Sequence, residues 1–277
     1  MIADAFESAR ADRLLTLMKF KPRLFLILWI AGLAGVLSML LIDLPALMAN
    51  LPVTEKTPLP LPPLLLMLLG TIQPTVLISL AILVGIALAS KVGLAAPAAE
   101  AAARRESFMP ALKPQIIPGL IGGFAGGVAV LSTWLLWRLF LPPLFIIRAE
   151  RLNQALPFVT RLLYGGVVEE LLLRWGVMTF LVWLSWRLFQ KSEEAPRAIW
   201  FVTAIIVSSV VFGIGHLPLV VALGFTFTPA IVSYVVVANA LFGLIAGSLY
   251  WKRGLEAAII AHMVTHVILK TAIYFGT

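Results

Sequence analysis

The chain consists of long apolar runs that are separated by short polar or proline-rich linkers. About 20 consecutive apolar residues are enough to cross the hydrocarbon core of a bilayer as a helix. The apolar runs that reach this length cover roughly residues 24–49, 62–90, 116–147, 157–187, 198–221, 230–250 and 254–275. The pattern therefore predicts an all-α, polytopic transmembrane helix bundle with seven or eight spans.

The uncertainty in the number of spans comes from the third run. It contains the sequence "LPPLF", in which Pro142 and Pro143 are adjacent. Proline lacks a backbone N–H and its ring clashes with the preceding turn, so a helix must end or kink there. An eighth span or a re-entrant piece between residues 138 and 165 is compatible with the sequence.

The linkers predict loops and, in part, their side of the membrane. Residues 50–63 are proline-rich, residues 91–115 form the longest polar stretch, and residues 190–197 are a short charged turn. The N-terminal segment 1–23 carries five Lys and Arg residues. Because cytoplasmic segments are enriched in these residues, we expect 1–23 to be an amphipathic cytoplasmic segment on the membrane surface. Three arginines after the third run break the alternation, so the orientation beyond that point stays open.

Composition supports the membrane interpretation and excludes several classes of function. Hydrophobic residues make up 61% of the chain and charged residues 12%, whereas soluble domains are about half apolar and about a quarter charged. The net charge of +8 fits cytoplasmic loops and anionic lipid better than nucleic acid. The chain has no cysteine, which excludes disulfides and thiolate chemistry. We expect a multi-pass integral protein of the plasma (inner) membrane.

Three charged residues lie deep in the fourth run, within "GGVVEELLLRW" at residues 165–175. Ionisable side chains inside a span are costly and usually mark a function or a paired partner. Glu170 and Arg174 are four residues apart on one helix face, the spacing of an ion pair. Glu169 points about 100° away from Glu170 around the helix axis. The spacing predicts that Glu170 and Arg174 neutralise each other while Glu169 faces another helix.

All three histidines of the chain, His216, His262 and His266, fall in the last third, within apolar runs. His262 and His266 are four residues apart and therefore share a helix face. One interpretation is that these polar groups only join helices by hydrogen bonds. The other is that glutamate and histidine activate a water molecule, either directly as a general base or by holding a divalent metal.

The motifs resemble those of a known family, the CPBP family of intramembrane proteases, which includes the CAAX prenyl endopeptidases and bacteriocin-processing proteins. The sequence "EELLLR" (169–174) is similar to the family motif EExxxR, and "FGIGH" (212–216) is similar to FxxxH. The sequence "HMVTH" (262–266) stands where the family has His, three residues, and usually Asn or Asp. The resemblance covers about residues 157–270 and does not reach the first half of the chain.

The resemblance implies a bundle of about eight helices around a hydrophilic intramembrane cavity. It implies Glu169 as general base, His216 as its helper in holding the attacking water, and His262 with the fourth position as support for the oxyanion. The fourth position is His266 here, which departs from the family pattern. Imidazole can donate a hydrogen bond to an oxyanion as an amide does, and it is also a better zinc ligand.

We therefore expect three regions along the chain. These are the N-terminal segment 1–23, a transmembrane region without motifs at 24–156, and a catalytic core at 157–277. The candidate catalytic residues combine the charges and histidines of that core: Glu169, Glu170, Arg174, His216, His262 and His266. A Zn²⁺ ion held by His216, His262 and His266, or no cofactor at all, are both open alternatives.

The function that this pattern favours is hydrolysis of a peptide bond in a membrane-associated protein or peptide, with Glu169 activating water. The partners would be that substrate and the lipid bilayer, without nucleic acid. A non-catalytic membrane protein that binds a peptide, such as an immunity factor, is the main alternative. A metal or proton transporter is a weaker one, because transporters are often built from two related halves and the sequence has no visible repeat.

Overall fold

The structure is a computed structural model that describes residues 21–49, 61–190 and 194–274. Within these residues the backbone is helical, with no strand. Almost all of the predicted N-terminal segment 1–23, and most of the linker 50–63, lie outside the described residues. The all-α fold predicted from the apolar runs is confirmed for the part of the chain that is described.

Apart from two short 3₁₀ helices, Ser38–Leu41 and Ala89–Val92, twelve helices follow one another in the described part of the chain. Helix α8 comprises consecutive helical segments over residues 158–190, of which Arg161–Glu169, Leu171–Met178 and Trp186–Gln190 have the wider π-helical hydrogen bonding. The others are α1 Pro22–Leu37, α2 Leu44–Ala49, α3 Pro63–Gly70, α4 Ile72–Leu88, α5 Pro97–Ala103, α6 Met109–Trp137, α7 Pro143–Ala155, α9 Ala198–Gly215, α10 Pro218–Ala222, α11 Pro229–Lys252 and α12 Leu255–Tyr274.

Six helical stretches of the described chain are long and apolar enough to cross a membrane, which makes this a multi-pass integral membrane protein. They are Pro22–Leu41, Pro63–Val92, Met109–Trp137, Ala198–Ala222, Pro229–Lys252 and Leu255–Ala272. This number is close to the seven or eight spans expected from the sequence. The remaining predicted run, 157–187, corresponds to α8. This helix is as continuous as the six stretches, but it differs from them in carrying the buried charges of the candidate site.

Prolines account for two differences between the helix boundaries predicted from the sequence and those in the structure. Helix α6 ends at Trp137 and α7 begins at Pro143, so "LPPLF" divides the predicted run 116–147 into two helices. Proline is tolerated in the first turn of a helix, where its missing N–H has no partner to lose. The predicted loop 91–115 is wrong in its middle and its end, because α5 begins at Pro97 within its alanine-rich sequence and α6 begins at Met109.

Glycines allow α12, which carries two of the histidines, to pack closely against α6. A Cβ atom added at Gly123 would lie 2.5 Å from the Cβ atom of Val264 and 2.7 Å from the carbonyl oxygen of Ala261. Gly119 and Gly127 meet the same helix at Ile260 and Ile268. The "GGFAGG" run at residues 122–127 thus permits close helix packing.

Helix α8 lies in the interior of the bundle, between helices from both halves of the chain. Gly35 of α1 packs against the backbone of Leu163, and Gly85 of α4 packs against the indole ring of Trp175. On another side, the ring of His266 and the side chain of Met263, both in α12, pack against Gly165 and Gly166. The region 24–156, which has no motif, therefore forms part of the wall that keeps the charges of α8 away from lipid.

Candidate functional site

The ion pair predicted within α8 is present and fully buried. The Nε atom of Arg174 lies 3.2 Å from Oε2 of Glu170, and neither side chain is exposed. Arg174 also donates from Nη2 to the carbonyl oxygen of Gly243 at 3.0 Å. Its guanidinium carbon lies 5.3 Å from the ring centre of Phe212, within the range of a cation–π contact. The cation is thus held by charge, by a backbone oxygen and by an aromatic face.

Glu170 also binds the first histidine of α12, which the sequence does not predict. Its Oε1 atom lies 2.8 Å from Nδ1 of His262. With the carboxylate ionised, Nδ1 must carry the hydrogen and donate it, because a carboxylate only accepts. This bond fixes the orientation of the ring and directs Nε2 of His262 towards Glu169. One carboxylate therefore connects Arg174 to the imidazole.

Glu169 faces two histidines from other helices, as its position relative to Glu170 predicts. Its Oε2 atom lies 3.7 Å from Nε2 of His262, and its Oε1 atom lies 4.0 Å from Nε2 of His216. These three side chains, from three different helices, therefore lie close together. The separations exceed a direct hydrogen bond and match two groups bridged by a small donor such as water.

His216 is positioned by the end of α9. The helix ends at Gly215, and Pro218 begins α10 in the first-turn position that proline favours. The Nδ1 atom of His216 lies 2.8 Å from the carbonyl oxygen of Phe212. That oxygen can only accept, so Nδ1 donates and the unprotonated Nε2 faces Glu169. The imidazole and the ring of Phe212 meet edge to face, with centroids 4.8 Å apart.

His266 lies one helical turn beyond His262, and its ring stacks on the ring of His262. The centroids are 4.9 Å apart and the ring planes differ by 16°. Its Nδ1 atom is buried and has no hydrogen-bond partner among the described residues. The ring fills the space above Gly165, which has no side chain. His266 therefore lies beside the Glu169 cluster, and no ion-pair contact between His266 and Glu169 occurs in the described chain.

A single cavity of about 800 Å³ connects these groups. It is lined by Glu169, His216, His262 and His266, and it continues past α6, α7 and α11. Glu169 and His216 keep 19% and 26% of their side chains exposed, whereas Glu170 is fully buried. Cavities of several hundred Å³ are typical of binding sites for small molecules or peptide segments. The wall residues Tyr164 and Asn239 add polar groups to it.

The three histidines do not form a metal-binding set as arranged. No group of three His, Cys, Asp or Glu side chains in residues 21–49, 61–190 and 194–274 is arranged to hold a metal ion. Metal ligands must direct their lone pairs at one point, and the nearly parallel rings of His262 and His266 cannot both do so. The zinc alternative raised by the sequence does not fit these residues.

Arg161 is the cavity residue that sequence reasoning missed. It lies near the start of α8, lines the cavity and is 7% exposed. The available signal was its position inside the fourth apolar run, four residues after Pro157, where a lone cation is unusual. Phe242, whose ring centre lies 4.3 Å from that of His262, gives no signal in an apolar sequence.

Comparison with protein families agrees with the motifs. Residues 151–268 match the model of the type II CAAX prenyl endopeptidase Rce1-like family. All three motifs, at 169–174, 212–216 and 262–266, lie inside the matched region. No curated relative and no solved structure gives a significant match. The match of residues 151–268 supports the assignment of this part of the chain to the intramembrane proteases of the CAAX prenyl endopeptidase type.

Proposed function

We propose that this protein is an intramembrane endopeptidase in which Glu169 activates the attacking water. The family supports CAAX-type endopeptidase activity in general. The observation that carries the specific proposal is the cluster in the cavity, where the Glu169 carboxylate lies 3.7 Å from Nε2 of His262 and 4.0 Å from Nε2 of His216. A water molecule between Glu169 and His216 can donate one hydrogen to each of these two acceptors.

In the proposed reaction, this water donates one hydrogen to Glu169 and the other to Nε2 of His216. Glu169 removes its proton as the water oxygen attacks the carbonyl carbon of the peptide bond. The tetrahedral intermediate carries the former water oxygen and an oxyanion. Glu169 then passes the proton to the leaving nitrogen, the C–N bond breaks, and the products are a carboxyl group and an amine.

The oxyanion is stabilised by the histidines of α12. Nε2 of His262 donates to it when the ring carries both hydrogens, with Glu170 accepting from Nδ1 at 2.8 Å. In that form the two carboxylates balance Arg174 and the imidazolium, so the buried cluster has no net charge. His266, stacked on His262, contributes a second donor. Such preorganised donors supply a large part of the rate enhancement in acyl transfer.

The role of Glu170 and Arg174 in this proposal is positioning. Neither side chain has any exposed surface, so neither touches the substrate. The guanidinium holds the carboxylate, the carboxylate holds the His262 ring, and the ring presents Nε2 to the cavity. The substrate is a membrane-associated protein or peptide, since the site opens from a cavity within the helix bundle.

The test is a peptide cleavage assay with purified protein and a library of membrane-associated peptides. The key variant is Glu169→Gln, which keeps size and hydrogen bonding and removes the general base. We expect turnover to fall by about 10²–10⁴-fold, while detergent-solubilised protein melts at the temperature of the unaltered protein. Glu150→Gln is the matched control because Glu150 lines the same cavity from α7, and we expect its turnover to be unchanged.

The same variants separate the protease from a peptide-binding immunity protein. A binding protein would keep its peptide affinity and its protection of cells in Glu169→Gln, with no cleavage by either form. Equal turnover of the unaltered protein and Glu169→Gln would contradict the general-base assignment.

A further inference from the structure

The side chain of Asn239 lines the cavity that contains Glu169, and the protein uses only part of its hydrogen-bonding capacity. Its Nδ2 atom donates to the carbonyl oxygen of Val235, one turn earlier in α11, at 2.8 Å. A carboxamide has two N–H groups and an acceptor oxygen. Among the described residues, Oδ1 and the second N–H have no hydrogen-bond partner. The side chain is half-buried, and its oxygen is not one of the polar atoms that lack both a partner and accessible surface.

The hydrogen bond of Asn239 does not join helices, in contrast to those of other polar residues around the cavity. Thr265 of α12 donates to the carbonyl oxygen of Gly123 in α6 at 3.0 Å. Thr160 donates to the carbonyl oxygen of Ser38 at 2.7 Å. These hydroxyls connect neighbouring segments, which is the usual role of small polar side chains within a membrane bundle. Asn239 bonds only its own helix, so an interhelical role does not account for its amide.

Asn239 lies one helical turn from the cluster of Glu169 and His262. Phe242, three residues further along α11, has its ring centre 4.3 Å from that of His262. Both Asn239 and Phe242 line the cavity. Three residues of an α-helix rise about 4.5 Å, and an extended peptide advances about 3.3–3.6 Å per residue. A peptide whose carbonyl lies at Glu169 therefore passes Asn239 one or two residues away from that carbonyl.

The chemistry of the amide indicates which group it binds. A peptide that enters a cavity within the bundle leaves water behind, and a backbone N–H or C=O group without a partner is costly there. A carboxamide is neutral and offers one free donor and one acceptor, which match the C=O and N–H groups of a peptide backbone. A charged side chain of the substrate would instead require an opposite charge, which an amide lacks.

We propose that Asn239 binds the backbone of the peptide substrate, one or two residues from the bond that is cleaved. Its Oδ1 atom accepts from a substrate N–H group, and the free N–H of Nδ2 donates to a substrate carbonyl. The bond to Val235 fixes the rotation of the amide, so the contact holds an extended segment without selecting its side chains. This inference rests on the proposed endopeptidase function.

The test replaces single N–H groups of a cleaved peptide by ester oxygens. The cleaved bond itself stays an amide, and each of the two backbone positions on either side of it receives the ester in turn. Cleavage at the original bond is followed by mass spectrometry. An ester oxygen cannot donate, and a neutral hydrogen bond contributes a factor of about 2–10, so we expect kcat/KM of the unaltered protein to fall by that factor at one position. In Asn239→Leu, the same ester should be cleaved as fast as its parent peptide.

Two further variants make the result specific. Asn239→Ala removes the amide without adding bulk, and we expect the same loss of sensitivity to the ester. Asn153→Leu is the matched control, because this exposed asparagine of α7 lines the same cavity, and we expect it to keep the sensitivity of the unaltered protein. Equal loss of sensitivity in Asn153→Leu would overturn the proposal, because the effect would then not depend on the amide in α11.

Thermal unfolding in detergent separates substrate binding from a structural role. Asn239 bonds only a carbonyl of its own helix, so we expect Asn239→Leu and Asn239→Ala to melt within a few degrees of the unaltered protein. A marked fall in the melting temperature of both variants would overturn the proposal, because it would mean that the amide stabilises the bundle.

The outcomes also separate this inference from the proposed function on which it rests. If the unaltered protein cleaves no peptide, the endopeptidase proposal fails, and this inference fails with it. If peptides are cleaved and the ester lowers kcat/KM equally in the unaltered protein and in Asn239→Leu, the endopeptidase proposal stands and the assignment of Asn239 fails. The assignment also fails if no ester position lowers kcat/KM in the unaltered protein.

Discussion

The substitution Glu170→Ala tests whether the buried charges of α8 hold the bundle together. It removes the carboxylate that lies 3.2 Å from Arg174 and accepts from Nδ1 of His262 at 2.8 Å. Arg174 has no exposed surface, so water cannot replace the lost partner. The change leaves a buried cation with only the Gly243 oxygen and the Phe212 and Phe242 rings around it.

The expected magnitude follows from removing one member of a buried pair. Such a loss costs about 3–5 kcal/mol, since the remaining charge is uncompensated. The lost hydrogen bond of His262 overlaps with this figure, because one carboxylate serves both partners. A loss of 1 kcal/mol lowers the melting temperature by about 2–4 °C in a domain of 150–250 residues. We therefore expect a fall of about 6–20 °C.

The assay is thermal unfolding of purified protein in detergent, followed by tryptophan fluorescence, with peptide cleavage measured in parallel. Glu106→Ala is the matched control, because it breaks the pair between Arg104 and Glu106, both of which are 57% exposed. Exposed pairs contribute about 0–1 kcal/mol, so we expect a shift of a few degrees at most. Cleavage should fall in Glu170→Ala even at temperatures where the protein is folded, because the ring of His262 loses its orientation.

The double variant Glu170→Ala with Arg174→Met completes the test. It removes both charges, so no uncompensated cation remains, and we expect it to recover most of the lost melting temperature without recovering activity. The reasoning would be refuted if Glu170→Ala melted within two or three degrees of the unaltered protein. It would also be refuted if the double variant were no more stable than the single one.

The remaining predictions concern α12. His266→Asn is expected to keep most of the activity, because an amide also donates one hydrogen bond. The zinc content, measured by mass spectrometry, should be the same in this variant as in the unaltered protein. Loss of zinc together with activity would restore the metal alternative. His262→Ala is expected to lower kcat by about 10²–10³-fold, as for other lost oxyanion donors, and an unchanged kcat would contradict its role. Gly123→Ala is expected to destabilise by about 1–3 kcal/mol through overpacking against Val264 and the Ala261 carbonyl, whereas Gly70→Ala, where nothing lies within 4 Å, should melt like the unaltered protein.

The sequence predicts contacts within one helix better than contacts between helices. The pair of Glu170 and Arg174 follows from a four-residue spacing that any helix brings onto one face. The bond between Glu170 and His262 does not, because it depends on the rotation and register of α12 against α8. That register is set by close contacts of glycines with α12, and no local pattern gives their distances. The direction in which Glu169 faces was still predictable, since it differs from Glu170 by one residue around the helix.

The missing and misplaced predictions have a common physical origin. Arg161 was not recognised because a cation near the start of a span is usually assumed to reach the interface, and its burial depends on neighbouring helices. The loop predicted at 91–115 was too long. Its alanine-rich part shows little hydrophobic periodicity, but alanine has a high helix propensity and so still forms a helix there. In both cases the surroundings supplied by the rest of the bundle decide the outcome.

The two carboxylates of α8 differ in when their partners become available during synthesis. Arg174 lies one turn from Glu170 in the same helix, so this pair is complete as soon as α8 forms. The histidines that face Glu169 belong to the end of α9 and to α12, both of which follow α8 along the chain. Chains are folded from the N-terminus as they are synthesised. The cluster of Glu169 with its two histidines can therefore close only when α12 inserts against α6 and α8, later than the pair within α8.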